Sequence, residues 1–228
     1  MNMMKTNETG RSMIEMLGVL AIIGVLSVGG IAGYSKAMNK FKTNKVADNV
    51  SMIVTNIRTL YAQQKTYDGL DNDSAIQMGV VPDELQIADT SNTITGKKLQ
   101  NAFLGDVTIA AADVPGADAG SGTDMGFTVT FAGLTKEACV TLATNDWGSG
   151  YSAGFVGMIV GGEEGKAVEA ASDGDKLNVK GNCVATAFND AAKRAVACAG
   201  TPMNVATAAK ACSCTNASNV CEILWKFY

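Results

Sequence analysis

The sequence predicts an α+β fold in which a long N-terminal α-helix packs on an antiparallel β-sheet head with a disulfide-closed C-terminal region. Two observations predict the helix: an uncharged apolar run covers residues 16–35, and an amphipathic pattern continues beyond it. A third predicts the head, because short β-branched segments alternate with Gly-rich turns and all six cysteines lie in the second half of the 228-residue chain.

The helix prediction comes first because its pattern is the longest in the chain. Residues 16–35 carry no formal charge, and as a helix rising 1.5 Å per residue they reach roughly 30 Å, one bilayer core. Beyond them, apolar residues recur at steps of three and four: Val46, Val50, Ile53, Val54, Ile57, Leu60 and Tyr61. We therefore expect one helix from near Met13 to about Gln64, transmembrane in its first half and amphipathic in its second.

Glu15 stands just before the apolar run, where an ionisable side chain is costly and usually has a partner. If the chain is cut after Gly10, Arg11 carries a new α-amino group, and Glu15 of one copy could pair with the amine of a neighbouring copy. Such pairing favours one axial register, because an unpaired buried charge costs several kcal/mol. The alternative is that Glu15 only occupies the first helical turn, where the helix dipole favours a carboxylate.

The head is predicted from shorter patterns that follow Gln64. A turn-rich connecting stretch precedes two neighbouring strands of one antiparallel sheet, and Thr135 caps a helix with the body KEACVTLATND that covers the sheet. Later segments read as two strands, one helix and a closing apolar segment: Gly154–Val160, Leu177–Val179, Ala185–Cys198 and Val220–Tyr228. The two neighbouring strands are Val107–Ala110 and Phe127–Leu134.

Composition excludes several classes of function. The formal net charge is −4 and the pI near 4.9, so the chain lacks the basic field that attracts nucleic acid. Histidine is absent, which argues against hydrolytic and zinc chemistry. We expect no enzyme, no cofactor and no metal. An even number of cysteines suits an oxidising compartment; a thiolate metal site around Cys212, Cys214 and Cys221 is the alternative, but its spacing is not C-x₂-C.

The N-terminal residues resemble a known motif. Gly10-Arg11-Ser12-Met13-Ile14-Glu15-Met16-Leu17, after a short polar leader with Lys5 and before the apolar helix, resembles the prepilin cleavage and methylation motif of type IV pilins and type II secretion pseudopilins. The resemblance implies that a prepilin peptidase cuts after Gly10, that the amine of Arg11 is N-methylated, and that Glu15 guides assembly. The first mature residue of this family is usually apolar, whereas Arg11 stands here.

A second resemblance covers the head. The segments LQNAFLGDVTIAA and GFTVTFAGLTKEACVTLA resemble the head of the type IVb pilins. In that subgroup a cysteine matching Cys139 is disulfide-bonded to one near the C-terminus. The resemblance implies a bond from Cys139 to Cys221, which begins the terminal strand, or else to Cys212 or Cys214. Two further bridges would then join Cys183 and Cys198 to Cys212 and Cys214.

The two resemblances together imply an organisation and a function. Residues 1–10 form the leader, 11–65 the membrane anchor and filament core, 66–106 a connecting region, and 107–228 the pilin head. The expected function is that of a structural subunit of a type IVb-like pilus, polymerised through its N-terminal helix, for adhesion, aggregation, motility or DNA transfer. The expected partners are copies of itself, the prepilin peptidase, the inner-membrane assembly platform and, for the precursor, membrane lipid.

The expected location is the bacterial inner membrane as a single-pass precursor with a periplasmic head, and then the extracellular pilus. Four lysines follow the apolar run, and the positive-inside rule alone would place the head in the cytoplasm; the cysteines and the leader motif favour export instead. Two alternatives stay open: a pseudopilin or minor pilin of a type II secretion-like system, and a membrane-anchored extracytoplasmic binding module. A cleaved secretory signal ending at Ala32 is weakened by the length of the run.

Overall fold

The computed structural model describes residues 13–114, 122–148, 154–161, 186–189, 194–214 and 221–228. The described residues up to Phe41 form one compact unit, and those from Lys42 onward form a second. The helices are α1 (Met13–Leu60), α2 (Asn72–Gln77), α3 (Lys136–Thr144) and α4 (Val205–Ala211). The strands are β1 (Gln86–Ala88), β2 (Lys97–Leu99), β3 (Val107–Val114), β4 (Gly122–Leu134), β5 (Phe155–Gly161), β6 (Thr186–Asn189), β7 (Arg194–Cys198) and β8 (Cys221–Phe227).

Helix α1 confirms the long helix that the sequence predicts. It runs without interruption for 48 residues and ends in a 3₁₀ turn at Tyr61–Gln63. In its second part the buried positions recur at steps of three and four: Thr43, Val46, Asn49, Val50, Ile53, Val54 and Ile57. Where the helix tightens, Tyr61 takes the inward position and Leu60 stays 45% exposed. The apolar face of this part belongs to the core of the head.

The head is built on a six-stranded sheet with the order β3-β4-β8-β5-β7-β6, and every recorded neighbour pair is antiparallel. The predicted neighbours β3 and β4 pair directly, with Val107 opposite Phe131. Both strands are longer than the sequence pattern indicated. The last strand of the chain, β8, lies in the middle of the sheet between β4 and β5. The six-stranded sheet therefore forms completely only when β8 has paired with both neighbours. Helices packed on an antiparallel sheet confirm the α+β prediction.

Aromatic side chains fill the core between the sheet and the helices of the second unit. Trp225 of β8 is fully buried and meets Phe131 and Trp147 edge to face, with ring centroids 6.0 and 5.0 Å away. Phe127 lies between Tyr67 and Phe227, with centroids 4.8 and 5.5 Å away. Such contacts between rings stabilise the core in addition to the stabilisation that comes from burying apolar area. The predicted N-cap of α3 is confirmed, because the hydroxyl of Thr135 accepts a hydrogen bond from the N–H of Ala138.

The connecting region after α1 is more ordered than its turn-rich sequence suggests. Asp71 and Ser74 form a capping box that starts α2. The side chain of Asn72 then donates to the carbonyl of Val107 and accepts from the N–H of Ile109, at 3.0 and 2.7 Å. These bonds satisfy backbone groups on the outer side of β3, an edge strand of the sheet. The connection thus protects that edge from pairing with another chain.

The helix predicted over Ala185–Cys198 is wrong. The structure has β6 and β7 there, and the buried residues of β7 pair with β5, with Val196 opposite Ile159. Alanine and lysine favour a helix in isolation. Pairing with a buried strand outweighs that preference, because β7 buries side chains on both faces of the sheet. The strand predicted at Leu177–Val179 lies outside the described residues.

Gly105 and Gly133 make the closest backbone approach recorded among the described glycines. A Cβ added to Gly105 would overlap the carbonyl group of Ala132 and lie 2.7 Å from the Cα of Gly133. Backbone atoms cannot rotate away, so we expect Gly105→Ala to lower the free energy of unfolding by at least about 3 kcal/mol. Thermal unfolding of the detergent-solubilised chain, followed by circular dichroism, measures the loss.

Gly96→Ala is the matched control for this prediction. Gly96 has φ +66° and open space around its Cα, so an alanine there costs only the left-handed backbone, about 1–2 kcal/mol. A Gly105→Ala variant as stable as Gly96→Ala would contradict the expected clash.

Candidate functional site: the assembly helix and the disulfide cluster

The first part of α1, up to Phe41, presents apolar side chains that no described residue covers. Its most apolar 18-residue window has a mean hydropathy of 2.2 and is unburied, and this is the one helix in the described part of the chain long and apolar enough to cross a membrane. Side chains at least half exposed in this part are Met13, Ile14, Met16, Leu17, Val19, Leu20, Ile22, Ile23, Val25, Leu26, Val28, Ile31, Tyr34 and Phe41. An apolar surface of this extent requires lipid or other helices around it.

Two serine hydroxyls within this surface are hydrogen-bonded inside the helix itself. The hydroxyls of Ser27 and Ser35 donate to the carbonyls of Ile23 and Ile31, at 2.7 and 3.0 Å. Hydroxyls bonded in this way do not need water. The five glycines of this part have open space around them: Gly18, Gly24, Gly29, Gly30 and Gly33. Small residues on an apolar helix let a second helix approach its backbone closely.

Glu15 lies in the first turn of α1, exposed, and on the N-terminal side of the apolar stretch. Its neighbours Met13, Ile14 and Met16 are apolar and exposed. Any packing of this helix end against apolar groups would take the carboxylate out of water, so the carboxylate would then need a cationic partner. Gly10 and Arg11, the expected cleavage and methylation positions, lie outside the described residues.

Two disulfides lie side by side at the end of the sheet. One joins Cys139 of α3 to Cys212, the C-cap residue of α4, and the other joins Cys214 to Cys221, the first residue of β8. All four cysteines are buried, at 0–4% exposure. The bonds connect the covering helices α3 and α4 to each other and tie the central strand to the segment that follows α4.

The pairing of Cys139 with Cys221 favoured by the sequence resemblance is wrong, and the named alternative Cys212 takes its place. The physical reason is that α4 packs on α3 and brings its C-cap against Cys139, which leaves Cys221 to Cys214. The predicted bridges from Cys183 and Cys198 to Cys212 and Cys214 are also wrong, because Cys212 is bonded to Cys139 and Cys214 is bonded to Cys221. Cys198 is disulfide-bonded, and Cys183 lies outside the described residues.

The sulfurs of Cys139, Cys214 and Cys221 lie within 4.8 Å of one another. Reduced thiolates at this spacing could ligate a soft metal ion such as Zn²⁺. Each of the three is engaged in a disulfide, however, and a disulfide sulfur carries no thiolate charge. The arrangement described here is therefore a covalent staple.

Comparison with known proteins identifies the family. The family model described as PilS N terminal matches residues 40–198. The major structural subunit of bundle-forming pilus of Escherichia coli O127:H6 (strain E2348/69 / EPEC) is 30% identical over 217 residues, which cover 95% of this chain and 94% of the relative. The chain belongs to the PilS family.

Further relatives and solved structures resemble this pilin more distantly. The toxin coregulated pilin of Vibrio cholerae serotype O1 (strain ATCC 39315 / El Tor Inaba N16961) is 26% identical over 142 residues, 62% of this chain and 59% of the relative. The type IVb pilin structure from Salmonella typhi has a TM-score of 0.44 and 17% identity, covering 78% of this chain and 94% of that one. The structure of TcpA, a type IV pilin from Vibrio cholerae El Tor, has a TM-score of 0.47 and 19% identity, and the match covers 82% of this chain and 99% of that one.

The sequence patterns did not point to a tight turn at residues 101–105. Its first residue is Asn101, which is 4% exposed; the Asn101 side chain donates to the carbonyl of Ala132 at 2.7 Å and accepts from the N–H of Phe103 at 2.8 Å. These bonds hold Leu104 at φ +67° with its side chain 75% exposed. An exposed leucine in a left-handed conformation is uncommon and marks a surface worth testing. The sequence signal, if any, was the Asn and Gly that flank the turn.

A second missed feature joins α1 to the end of the sheet inside the second unit. Arg58 makes a hydrogen bond to Tyr67; burial raises the pKa of the Tyr67 hydroxyl, and the cation of Arg58 opposes that rise in pKa. A Cβ on Gly154, which has φ +67°, would meet both the Arg58 guanidinium and the carbonyl oxygen of Tyr228. Glycine at this position therefore leaves room for the Arg58 side chain next to the C-terminal residue.

Proposed function

We propose that this chain is the structural subunit of a type IVb pilus, polymerised through the first part of α1. The observation that carries the proposal is the exposed apolar surface of that helix, in a chain whose 30% identical relative is named a major structural subunit of bundle-forming pilus. A surface of this kind needs lipid in a precursor and neighbouring copies in a filament. No reaction is assigned to the chain.

The proposal includes the processing that the N-terminal motif implies. Residues 1–10 act as a leader, prepilin peptidase cuts after Gly10, and the amine of Arg11 is methylated. Residues 11–65 then form the anchor and filament core, residues 66–106 the connection, and 107–228 the head. The buried disulfides support a periplasmic head, because such bonds form in oxidising compartments. The inner-membrane assembly platform would then transfer the mature chain into an extracellular filament.

Assembly in this scheme cannot be driven by the hydrophobic effect alone. Lipid tails are as apolar as leucine, so moving α1 from the bilayer into a helix bundle changes little apolar exposure to water. Close packing at the five helix glycines and pairing of Glu15 with a neighbour's α-amine therefore decide the register. The head adds exposed apolar contacts of its own at Leu104 and at Ile94, which is 67% exposed in the β1–β2 loop.

The decisive experiment is the intact mass and N-terminal sequence of the chain sheared from the surface of its native cells. We expect a mature start at Arg11, with or without one methyl group, in an abundant fibre that contains this chain as its main component. A chain that keeps Met1, or one cut after Ala32, would overturn the proposal in favour of an anchored or secreted module. Correct cleavage without such a fibre would point to a pseudopilin or minor pilin.

A further inference from the structure

The two adjoining disulfides form a group of four buried sulfurs, which we call the cysteine quartet: Cys139, Cys212, Cys214 and Cys221. The four sulfurs form two bonded pairs, yet the sulfur of Cys139 also lies within 4.8 Å of the sulfurs of Cys214 and Cys221, to which it is not bonded. We propose that the quartet exchanges disulfide partners internally, so that wrongly paired intermediates convert to the final pairing inside the folded head.

The exchange step conserves disulfides. When Cys139 is bonded to Cys214 and Cys212 is a thiolate, the Cys212 sulfur attacks the Cys139 sulfur. The Cys139–Cys212 bond forms, the Cys139–Cys214 bond breaks, and the electron pair leaves on Cys214 as a new thiolate. Closing the second bond, Cys214–Cys221, removes two electrons and requires a disulfide-bearing oxidant, either a protein disulfide or oxidised glutathione, which is reduced to two thiols.

Chain entropy does not choose between the observed pairing and the one in which Cys212 and Cys214 are swapped. The observed bonds span 73 and 7 residues. Because Cys212 and Cys214 are two residues apart, swapping them changes each loop by only two residues, and loop-closure entropy varies slowly with length. The swapped pairing should therefore form readily in the unfolded chain, and native packing must select the final pairing.

The local structure favours the observed pair and keeps the alternatives within reach. Cys212 is the C-cap of α4, where its N–H donates to the helix carbonyl of Ala208 at 2.8 Å. Cys214 follows at φ +36°, a conformation that non-glycine residues rarely adopt. Its backbone can relax when the Cys214–Cys221 bond is open. Burial of all four sulfurs hinders correction by an external isomerase, whereas internal attack needs no access from solvent.

The test uses the full chain in detergent and the variant Cys212→Ser, which leaves Cys139, Cys214 and Cys221 with one bond and one thiol. The variant is reoxidised with oxidised glutathione, the oxidant is removed at acid pH, and the sample is returned to neutral pH without added thiol. Samples taken over time are alkylated with N-ethylmaleimide, and the labelled cysteine is identified by peptide mass spectrometry. The matched control is Cys198→Ser, which frees one thiol in the same head outside the quartet.

We expect the label in Cys212→Ser to be shared among Cys139, Cys214 and Cys221 and to redistribute after the oxidant is gone. Redistribution should become about tenfold faster with each unit by which the pH is raised, as long as the pH stays below the thiol pKa, because the thiolate is the attacking species. In Cys198→Ser the label should stay on one cysteine. A label confined to Cys139 at all times, or a mixture that never redistributes, overturns the proposal.

A second variant keeps the test decisive if Cys212→Ser does not fold. Cys214→Ser leaves the Cys139–Cys212 bond with the Cys221 thiol beside it, within 4.8 Å of Cys139. Exchange predicts that the label divides between Cys221 and Cys212, whereas a fixed pairing leaves it on Cys221 alone.

Discussion

Replacing Glu15 by alanine is expected to abolish filaments while leaving the cut chain in the membrane. In the proposed filament core the α-amine of one copy would be buried without the carboxylate of its neighbour. An uncompensated buried charge costs about 3–5 kcal/mol at each subunit, which is roughly a hundredfold to several thousandfold in each addition step. Electron microscopy of sheared cells and immunoblots of the membrane fraction measure the two outcomes.

Glu137→Ala is the matched control for Glu15→Ala. Glu137 is an exposed carboxylate in the first turn of α3, just as Glu15 is in the first turn of α1. If Glu15 serves only the helix dipole, both variants lose about 0.3–1 kcal/mol and both make normal filaments. Normal filaments from Glu15→Ala would therefore contradict the pairing, whereas their loss in this variant alone supports it.

The second large effect is expected from the Cys139–Cys212 bond. Replacing both cysteines by alanine removes a cross-link across 73 residues, which in the chain-entropy model stabilises by about 4 kcal/mol. The loop that this bond closes contains β5, β6, β7 and α4, so their unfolded ensemble expands when the bond is lost. Urea unfolding of the oxidised full chain in detergent, followed by tryptophan fluorescence, measures the change.

The Cys214→Ala, Cys221→Ala double variant is the control for this effect. Its bond closes only 7 residues, and its loss costs about 2 kcal/mol in the same model. Both double variants remove two buried sulfurs, so the difference of about 2 kcal/mol between them isolates the loop length. Equal losses in the two variants would show that local packing of the sulfurs, and not chain entropy, supplies the stability.

The elements that the sequence predicted correctly are those defined by their own residues. The apolar run and the steps of three and four fix α1 over Met13–Leu60, because a helix bonds only within itself. Thr135 starts α3 by accepting a bond from a residue three positions on. The pattern of β3 and β4 and their pairing across one loop were also predictable, as neighbouring strands usually pair. At the site, the apolar surface of α1 follows from composition alone.

Tertiary structure decided the features that depend on distant partners. Ala185–Cys198 has the composition of a helix, yet β7 forms there because β5 offers a buried strand edge. Asn72 and Asn101 look like ordinary turn residues, and only the fold aims their amides at β3 and at Ala132. The bond partner of Cys139 was likewise set by the packing of α4 on α3. A local pattern of apolar residues indicates which residues will be buried. The order of strands and the pairing of cysteines depend instead on contacts between residues far apart in the chain, and the spacing of residues within one segment does not encode these contacts.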